Sequence, residues 1–339
     1  MVNSIVTSGM GSSQTPGVVV GIWEPGKSYT HAYGSSDLAS NAPLATDDEW
    51  RVGSITKTFT ATVALKLVEQ GRLKLSDTLS TFVPGIPNGS AITVAELLQM
   101  RSGVYDYTAD PTFVQDYFAN PNMAFNADDA LAIIRAHQPD FAPGTETEYC
   151  DSNFLLLQLI IQSVTGQPLA SLIQQDVLGP LRLTQTSFPT TSALPDPYSH
   201  GYLVQPSGPP RDMTASNPDV AGGAGAMISN LGNLHIWAKA LATGSLLNRS
   251  TQRMRLQTTP LSNNGKISIR YGMGIFSLNG FLGHDGGILG YSTAMFYLPK
   301  AHSTIVVEAN NDNVSAAVAL TIFASLAYYL FPSQFPHGV

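Results

Sequence analysis

Ser54 and Lys57 stand three residues apart at the start of a long apolar stretch of the chain. A serine hydroxyl is a poor nucleophile until a base takes its proton, and helical residues three apart lie on one face. The spacing therefore brings the Lys57 amine within one turn of the Ser54 hydroxyl. Backbone N–H groups at a helix start also suit a developing oxyanion. The pattern predicts a nucleophilic serine that forms an acyl-enzyme, and its competing interpretation is Ser54 as a helix N-cap.

Two further segments carry side chains suited to the same chemistry. Tyr149 and Asp151 follow the turn residues Pro143-Gly144-Thr145 and precede a predicted helix. The segment His284-Asp285-Gly286-Gly287 lies between two predicted strands. The alternative interpretations are a buried core tyrosine for Tyr149 and a hairpin turn with a surface histidine for His284.

The elements that must position these residues are strands near both ends of the chain and helices between them. The stretch from Ile55 to Gln70 is apolar or small nearly all round, which predicts a central helix ended by Gly71. Strands around a helical middle imply an α/β fold of the α+β type, with one sheet built from both termini and an inserted helical lobe. The predicted strands are Gly17–Trp23, Ser28–Gly34, Tyr271–Leu278, Phe281–His284, Tyr291–Leu298 and Ser303–Glu308, and the further helices are Thr93–Met100, Ala127–Ala136, Ser152–Val164, Pro168–Val177 and Leu231–Ala242.

The segment around the serine has a recognisable family pattern. Arg51-Val52-Gly53-Ser54-Ile55-Thr56-Lys57-Thr58-Phe59-Thr60-Ala61 resembles the active-site segment of serine β-lactamases and penicillin-binding proteins. The resemblance is closest to the branch of class C β-lactamases, DD-carboxypeptidases and family VIII esterases. It continues through the runs Leu67–Asp77, Ile92–Leu98 and Ser102-Gly103, and roughly Gly17 to Leu330 can be matched in order.

The resemblance implies a β-lactamase/transpeptidase-like fold with an antiparallel sheet flanked by helices. It also implies one catalytic domain over residues 1–339. Within that domain we expect a sheet lobe of about 1–70 and 265–339 and a helical lobe of about 71–264.

Roles for the second segment follow from the same resemblance. Tyr149 is implied to be the proton relay between the serine and the leaving group, and Asp151 stands where asparagine is usual. Tyr149 can take that role only if its phenol pKa is depressed, which a nearby Lys57 cation would do. Because a carboxylate only accepts hydrogen bonds, Asp151 is expected to hold Lys57 charged and to contact a substrate amine or amide N–H.

The third segment resembles the family's Lys-Thr-Gly or His-x-Gly triad. The resemblance implies that the N–H groups of Ser54 and Gly287 form an oxyanion hole. It further implies that His284 assists proton transfer or binds an acid group. Asp285 and Gly286 are candidate substrate contacts, since glycine lets a substrate lie close to the backbone.

Composition narrows the candidate partners. The formal charge of −7, without a Lys/Arg run, makes nucleic acid a poor candidate. Gly21–Ser28 matches a phosphate-binding loop, but Pro25-Gly26 and the strand pattern after it predict a hairpin, so nucleotide binding is not predicted. The sequence has one cysteine and lacks His-Glu-x-x-His and Cys-x-x-Cys motifs, which predicts no metal and no cofactor.

Two features bear on location. Charged residues make up only 12% of the chain, which favours a secreted or cell-envelope protein over a cytoplasmic one, although the residues after Met1 do not form a signal peptide. The uncharged segment Val314–Phe331 contains polar residues and lacks flanking Lys or Arg, so we predict a core helix rather than membrane contact.

The predicted function is therefore acyl transfer to water on a small-molecule or peptide substrate. The first choice is a D-alanyl-D-alanine carboxypeptidase-like peptidase or amidase. A carboxylesterase or β-lactamase on the same site is the alternative. A non-catalytic penicillin-binding-like protein is the hypothesis from a different class, because Asp151 disturbs the usual motif.

Overall fold

A computed structural model describes residues 1–205, 207–263, 268–312 and 318–334 of the protein. Within these ranges the strands are β1 (Gly17–Glu24), β2 (Lys27–Asp37), β3 (Ala42–Pro43), β4 (Trp50–Arg51), β5 (Tyr202–Leu203), β6 (Arg211–Asp212), β7 (Ile228–Ser229), β8 (Thr259–Asn263), β9 (Ser268–Tyr271), β10 (Phe276–Leu278), β11 (Phe281–Ile288), β12 (Tyr291–Leu298) and β13 (Ser303–Ala309). Nine of them form one antiparallel sheet in the order β3-β2-β1-β13-β12-β11-β10-β9-β8, and β4–β7 and β5–β6 form two short ladders.

The middle of the sheet joins the two ends of the chain. Ala309 of β13 pairs with Val18 of β1 on one side and with Ser292 of β12 on the other. Every residue of β12 and β13 is buried, in agreement with the continuous apolar runs of their sequences. The prediction of one antiparallel sheet built from both termini is therefore confirmed.

Helices pack on the sheet, and most of them lie in the sequence between the strands of the two chain ends. They are α1 (Val2–Ser13), α2 (Thr56–Glu69), α3 (Val94–Leu98), α4 (Pro111–Ala119), α5 (Ala127–Ala136), α6 (Ser152–Thr165), α7 (Leu169–Ile173), α8 (Gly179–Leu181), α9 (Gly222–Gly225), α10 (Leu231–Thr243), α11 (Arg249–Arg255) and α12 (Val318–Leu330). Helices α10 and α12 pack on β12 and β13, and α2 packs against α6, α7 and α9.

Helix α2 is the central helix that its sequence predicts. Eleven of its fourteen residues are buried. Its buried threonines satisfy their hydroxyl groups on backbone carbonyls: Thr58 donates to Ile55 at 2.7 Å and Thr60 donates to Gly223 at 2.8 Å. These bonds offset the cost of burying polar groups. Helix α2 is thus a fixed platform for Ser54 and Lys57 at its start.

Several elements differ from the sequence prediction. The single strand predicted over Tyr271–Leu278 is wrong, because the chain turns at residues 272–275 and forms the separate strands β9 and β10. Gly274 supplies the positive φ of +68° in this turn. The helix predicted over Pro168–Val177 holds as α7 to residue 173 and then widens into a π-helical turn, Gln174–Leu178. Helices α1, α4 and α11 were not predicted.

Two other predictions concern the phosphate-loop-like segment and the uncharged segment near the end of the chain. Glu24 pairs with Lys27 across the Pro25-Gly26 turn, so the phosphate-loop-like segment is a hairpin, as predicted. Of the predicted helix Val314–Phe331, residues 314–317 lie outside the described residues, and α12 follows with Ile322 and Phe323 buried. The division of the domain into a sheet lobe and a helical lobe stays a prediction.

Across the described ranges, no single helix combines the length and the apolar character needed to cross a membrane. Helix α6 and the segment Leu169–Leu181, bent by 83° relative to each other, pass that test as a pair by length and composition.

Candidate active site

Ser54 lies in a 3₁₀ turn, Gly53–Ile55, immediately before α2. Gly53 adopts a φ of +51°, and a side chain there would come within 2.7 Å of the Gly287 carbonyl oxygen. This turn therefore packs directly on β11, at the end of the sheet. The residue that caps α2 is Ile55, and its side chain makes no capping hydrogen bond. The N-cap interpretation of Ser54 is wrong, and its hydroxyl is available for other partners.

Lys57 is the nearest partner of Ser54. Its side chain is fully buried, and its Nζ lies 2.7 Å from Ser54 Oγ, 2.5 Å from Asp151 Oδ1 and 2.9 Å from the Ala224 carbonyl oxygen. These three bonds use the three donors of a lysine ammonium. The structure therefore places Lys57 as a cation held among three acceptors, with the nucleophile as one of them.

Asp151 stands just before α6 and forms an ion pair with Lys57. Its backbone N–H donates to Asp106 Oδ2 at 3.1 Å. The Thr108 hydroxyl donates to Asp151 Oδ2 at 3.4 Å. Burial, together with the charge of Asp151, raises the pKa of Asp106 to about 6. Asp151 keeps 27% of its side chain exposed. The expectation that it holds Lys57 charged agrees with this geometry, and its role as a substrate contact stays a prediction.

Tyr149 lies beside both the serine and the lysine. Lys57 Nζ is 4.8 Å from the centre of its ring, and Phe276 stacks on the ring with 5.9 Å between centroids. Desolvation, followed by the negative charge of Asp151, raises the pKa of Tyr149 well above its ordinary value, against the opposing hydrogen bond with Ser54. The expectation that Lys57 depresses this pKa is wrong. The reason is that desolvation of the phenol dominates, and the negative charge of Asp151 acts in the same direction.

His284 is fully buried on β11, so the interpretation as a surface histidine is wrong. Its Nδ1 bonds to the carbonyl oxygen of Asp285 at 2.5 Å, and Tyr271 O–H donates to its Nε2 at 3.2 Å. Burial and the nearby Lys57 charge lower the pKa of His284 to about 3. A neutral, enclosed imidazole offers no positive charge to a substrate acid group. His284 packs among the rings of Tyr149, Tyr271 and Phe276, and its role in proton transfer stays a prediction.

Gly286 and Gly287 bring β11 against the nucleophile. A side chain on Gly286 would collide with the carbonyl oxygen of Val52 and lie 2.9 Å from the Ser54 nitrogen. Glycine is therefore required for this close approach. The backbone of Gly287 lines both cavities that open beside Ser54. Ser54 and Gly287 thus lie side by side along both cavities. The oxyanion hole formed by their N–H groups stays a prediction.

Two cavities flank Ser54. The first, here called the Tyr149 cavity, has an apolar lining and one carboxylate, and its residues include Tyr149, Leu261, Ile269, Phe276, Leu278 and Asp285. The second, here called the Asp312 cavity, has an aromatic wall and two carboxylates, and its residues include Tyr107, Phe113, Tyr117, Phe118, Asp151 and Asp312. Burial raises the pKa of Asp312 to about 7. The site can thus hold an acyl compound across the serine, with one part in each cavity.

Sequence reasoning missed Asp106, Asp312 and the aromatic wall. Asp312 follows the end of β13, where Asn310-Asn311 indicates only a break in the chain. Asp106 lies in a loop whose sequence carries no catalytic pattern. Their positions depend on contacts between distant segments, which residue spacing does not reveal.

Most of the chain matches the model of one protein family. The family model described as Beta-lactamase matches residues 2–327. The protein named "Protein flp" of Staphylococcus aureus (strain N315) is 29% identical over 321 residues, which cover 91% of this chain and 62% of that protein. This chain therefore spans less than two thirds of the length of that relative.

Solved structures resemble the fold over nearly its whole length. A D-stereospecific amidohydrolase from Streptomyces sp. is 30% identical with a TM-score of 0.85, and the match covers 97% of this chain and 98% of that chain. The D-amino acid amidase from Ochrobactrum anthropi SV3, solved with L-phenylalanine, is 20% identical with a TM-score of 0.85, and the match covers 98% of each chain. At that identity, the second likeness concerns the fold alone.

Proposed function

Because this chain belongs to the Beta-lactamase family, we propose that it is a serine hydrolase that forms an acyl-enzyme on Ser54 and cleaves amide bonds. The observation that carries the proposal is the Lys57 ammonium, 2.7 Å from the Ser54 hydroxyl and next to the Tyr149 ring. The family and its structural neighbours are hydrolases. The name of the Streptomyces amidohydrolase further supports amide cleavage as the reaction.

The reaction begins when the pair of Lys57 and Tyr149 loses one proton. In the resting site Tyr149 keeps its proton, because burial and the charge of Asp151 raise its pKa, so the reactive form grows as the pH rises. The deprotonated pair accepts the Ser54 proton while Oγ attacks the amide carbon. The carbonyl oxygen, now negative, accepts hydrogen bonds from the Ser54 and Gly287 N–H groups.

Collapse of this intermediate breaks the C–N bond. The proton taken from Ser54 passes through Tyr149 to the leaving nitrogen, which departs as a neutral amine or ammonia. Water then attacks the Ser54 ester and gives one proton to the same pair. The pair returns this proton to Ser54 Oγ as the acyl C–Oγ bond breaks and a carboxylic acid is released. The sum is one amide and one water converted into one acid and one amine, with Ser54 restored.

Ester hydrolysis is the second candidate function. It uses the same acyl-enzyme, and the apolar side chains of Leu261, Ile269 and Leu278 in the Tyr149 cavity favour an alkyl or aryl leaving group. A β-lactam would use the same nucleophile. A non-catalytic binding protein on this fold would leave Ser54 unmodified by any of these compounds.

Covalent labelling tests the proposal. We expect a fluorophosphonate to add one adduct to Ser54, located by peptide mass spectrometry, and Ser54→Ala to lose both the adduct and turnover. Ser4→Ala, on the exposed face of α1, is the matched control and should retain both. Parallel assays with a p-nitroanilide, a p-nitrophenyl ester and a chromogenic cephalosporin separate the amidase, esterase and β-lactamase outcomes. Normal turnover by Ser54→Ala would rule out the scheme.

A further inference from the structure

Among the described residues, the charged side chains that line the two cavities beside Ser54 are all acidic. Among the described residues that line the two cavities, there are three aspartates, Asp285, Asp151 and Asp312, and no lysine, arginine or histidine. Lys57 lies behind the serine with its side chain fully buried and its charge paired with Asp151. An anionic group of a substrate would therefore meet carboxylates in either cavity without a free cation to pair with.

The position of Tyr149 indicates which of the two cavities holds the leaving group. Under the proposed function, the leaving nitrogen receives its proton through Tyr149. Tyr149 lines the Tyr149 cavity together with Ser54 and is not among the described residues that line the Asp312 cavity. The leaving group therefore lies in the Tyr149 cavity, beside Asp285, and the acyl group extends into the Asp312 cavity along its aromatic wall.

Among the described residues that line the Tyr149 cavity, Asp285 is the only one with a carboxyl group. It lies on β11 directly before Gly286, and 29% of its side chain is exposed. The nearest group that could carry a positive charge is His284, with Nδ1 3.8 Å from Asp285 Oδ1. That imidazole is neutral because its pKa is lowered to about 3. Desolvation raises the pKa of Asp285 to about 6, which still leaves the group mostly ionised above neutral pH.

We propose that Asp285 confines the enzyme to amides whose leaving group carries no carboxylate. This inference rests on the proposed function. A second carboxylate in this apolar cavity would be repelled by Asp285, and the described residues that line the cavity include no cation to pair with it. Ammonia or the N–H of a leaving amine can instead donate a hydrogen bond to it. The substrate class is therefore primary amides and amidated peptides, and it excludes peptides with a free terminal carboxylate and penicillins.

This assignment distinguishes amidase activity from carboxypeptidase activity, which the sequence alone does not separate. A D-alanyl-D-alanine carboxypeptidase releases an amino acid whose carboxylate would lie in the Tyr149 cavity. An amidase releases ammonia there. The aromatic wall of the Asp312 cavity, with Phe113 and Tyr117 among its residues, suits an apolar acyl side chain such as that of phenylalanine.

Two dipeptides that differ only at the terminal group test the proposal. We expect D-phenylalanyl-D-alanine amide to be cleaved between its residues at least about 100-fold faster in kcat/KM than D-phenylalanyl-D-alanine with its free carboxylate. Asp285→Asn should reduce this ratio by about tenfold or more, chiefly by raising the rate with the free acid. Asp312→Asn removes a carboxylate from the other cavity and should leave the ratio close to that of the wild type.

The outcomes separate the two proposals. Equal rates of the wild type with both dipeptides, or an unchanged ratio in Asp285→Asn, would overturn the role of Asp285. If a fluorophosphonate fails to label Ser54 and phenylalanine p-nitroanilide is not cleaved, the proposed function itself is wrong. Asp285→Ser provides a second variant should Asp285→Asn fold poorly, as judged by its melting temperature.

Discussion

The Lys57 ammonium and the Asp151 carboxylate form an ion pair at the start of α2, with 2.5 Å between Nζ and Oδ1. The Asp151 carboxylate brings a full negative charge close to Ser54, where an asparagine would bring none. Two consequences follow for the resting site. Lys57 is held among its three acceptors, and Tyr149 keeps its proton because burial, and after it the charge of Asp151, raises its pKa. Catalysis then depends on how readily this group of side chains gives up one proton.

Asp151→Asn should shift the pH dependence of catalysis. Because the charge of Asp151 raises the Tyr149 pKa, its removal lowers that pKa. The reactive, deprotonated pair then forms at lower pH. We expect the rising limb of kcat/KM against pH to move down by roughly one unit, measured with one amide substrate across neutral and alkaline pH. The exposed Asp219 gives the control: Asp219→Asn should leave the limb in place. A limb at the same pH in both variants would contradict the role given to Asp151.

Asp151→Ala should destabilise the fold. It leaves the fully buried Lys57 ammonium without its counter-charge, and removal of one partner of a buried pair costs about 3–5 kcal/mol. Since 27% of the Asp151 side chain is exposed, we expect a loss of about 2–4 kcal/mol in the free energy of unfolding, measured by urea denaturation. Asp312→Ala removes a carboxylate that has no ion-pair partner among the described residues, so it should cost far less. Equal losses in the two variants would argue against the importance of the ion pair.

Gly286→Ala should impair catalysis by separating β11 from the nucleophile. The added carbon would collide with the Val52 carbonyl oxygen and crowd the Ser54 nitrogen at 2.9 Å. Displacement of an oxyanion donor typically costs about 100-fold or more in kcat, and we expect a loss of that order. In Gly287→Ala the atoms nearest to the added carbon belong to the Asp312 carboxyl group, at 3.5 to 3.7 Å, which are ordinary contact distances. Its loss in kcat should be much smaller, and a reversed order would contradict the placement of the oxyanion hole.

Glu308→Gln should stabilise the protein increasingly as the pH rises. Glu308 on β13 is fully buried, and neither carboxyl oxygen has a hydrogen-bond partner among the described residues. Desolvation, with the charge of Asp48, raises its pKa well above the ordinary value. The folded state therefore holds a proton that the unfolded state releases, and folding becomes less favourable as the pH rises above the unfolded pKa of about 4.3.

The advantage of Glu308→Gln should be small below that pH and should grow by about 1.4 kcal/mol per pH unit until the folded group ionises. Urea denaturation at a series of pH values measures this slope. The same change at the exposed Glu146 should give a small difference at every pH. A constant effect of Glu308→Gln across the series would show that its carboxyl group does not titrate as described.

Much of the fold and the family could be predicted because they depend on local patterns. The apolar surface of α2 and the continuous apolar runs of β12 and β13 fix buried elements, and the family resemblance of the segment around Ser54 is confirmed by the match over residues 2–327. The strand predicted over Tyr271–Leu278 failed because its apolar residues continue through a glycine turn. Helix α4 was missed although Asp110 caps it and Pro111 begins it. A secreted or cell-envelope location stays a prediction.

The electrostatics of the site could not be predicted from spacing alone. The sequence correctly placed Asp151 beside Lys57, but the direction of the Tyr149 pKa shift depends first on the burial of the phenol and then on the nearby charges. That balance follows from distances and burial in three dimensions. The same limit applies to His284, whose neutral state results from its complete enclosure.

The position of β13 between β1 and β12 has a consequence for how the protein is made. Val18 can pair with Ala309 only after nearly the whole described chain has been synthesised. Until then β1 has β2 as its only partner in the sheet, and the edge that β13 later occupies is open. Such long-range pairing slows folding and exposes unpaired strands during it. Nascent chains of this protein should therefore expose that edge until β13 has been made, and the sheet that carries Gly286 and Gly287 is completed late in biosynthesis.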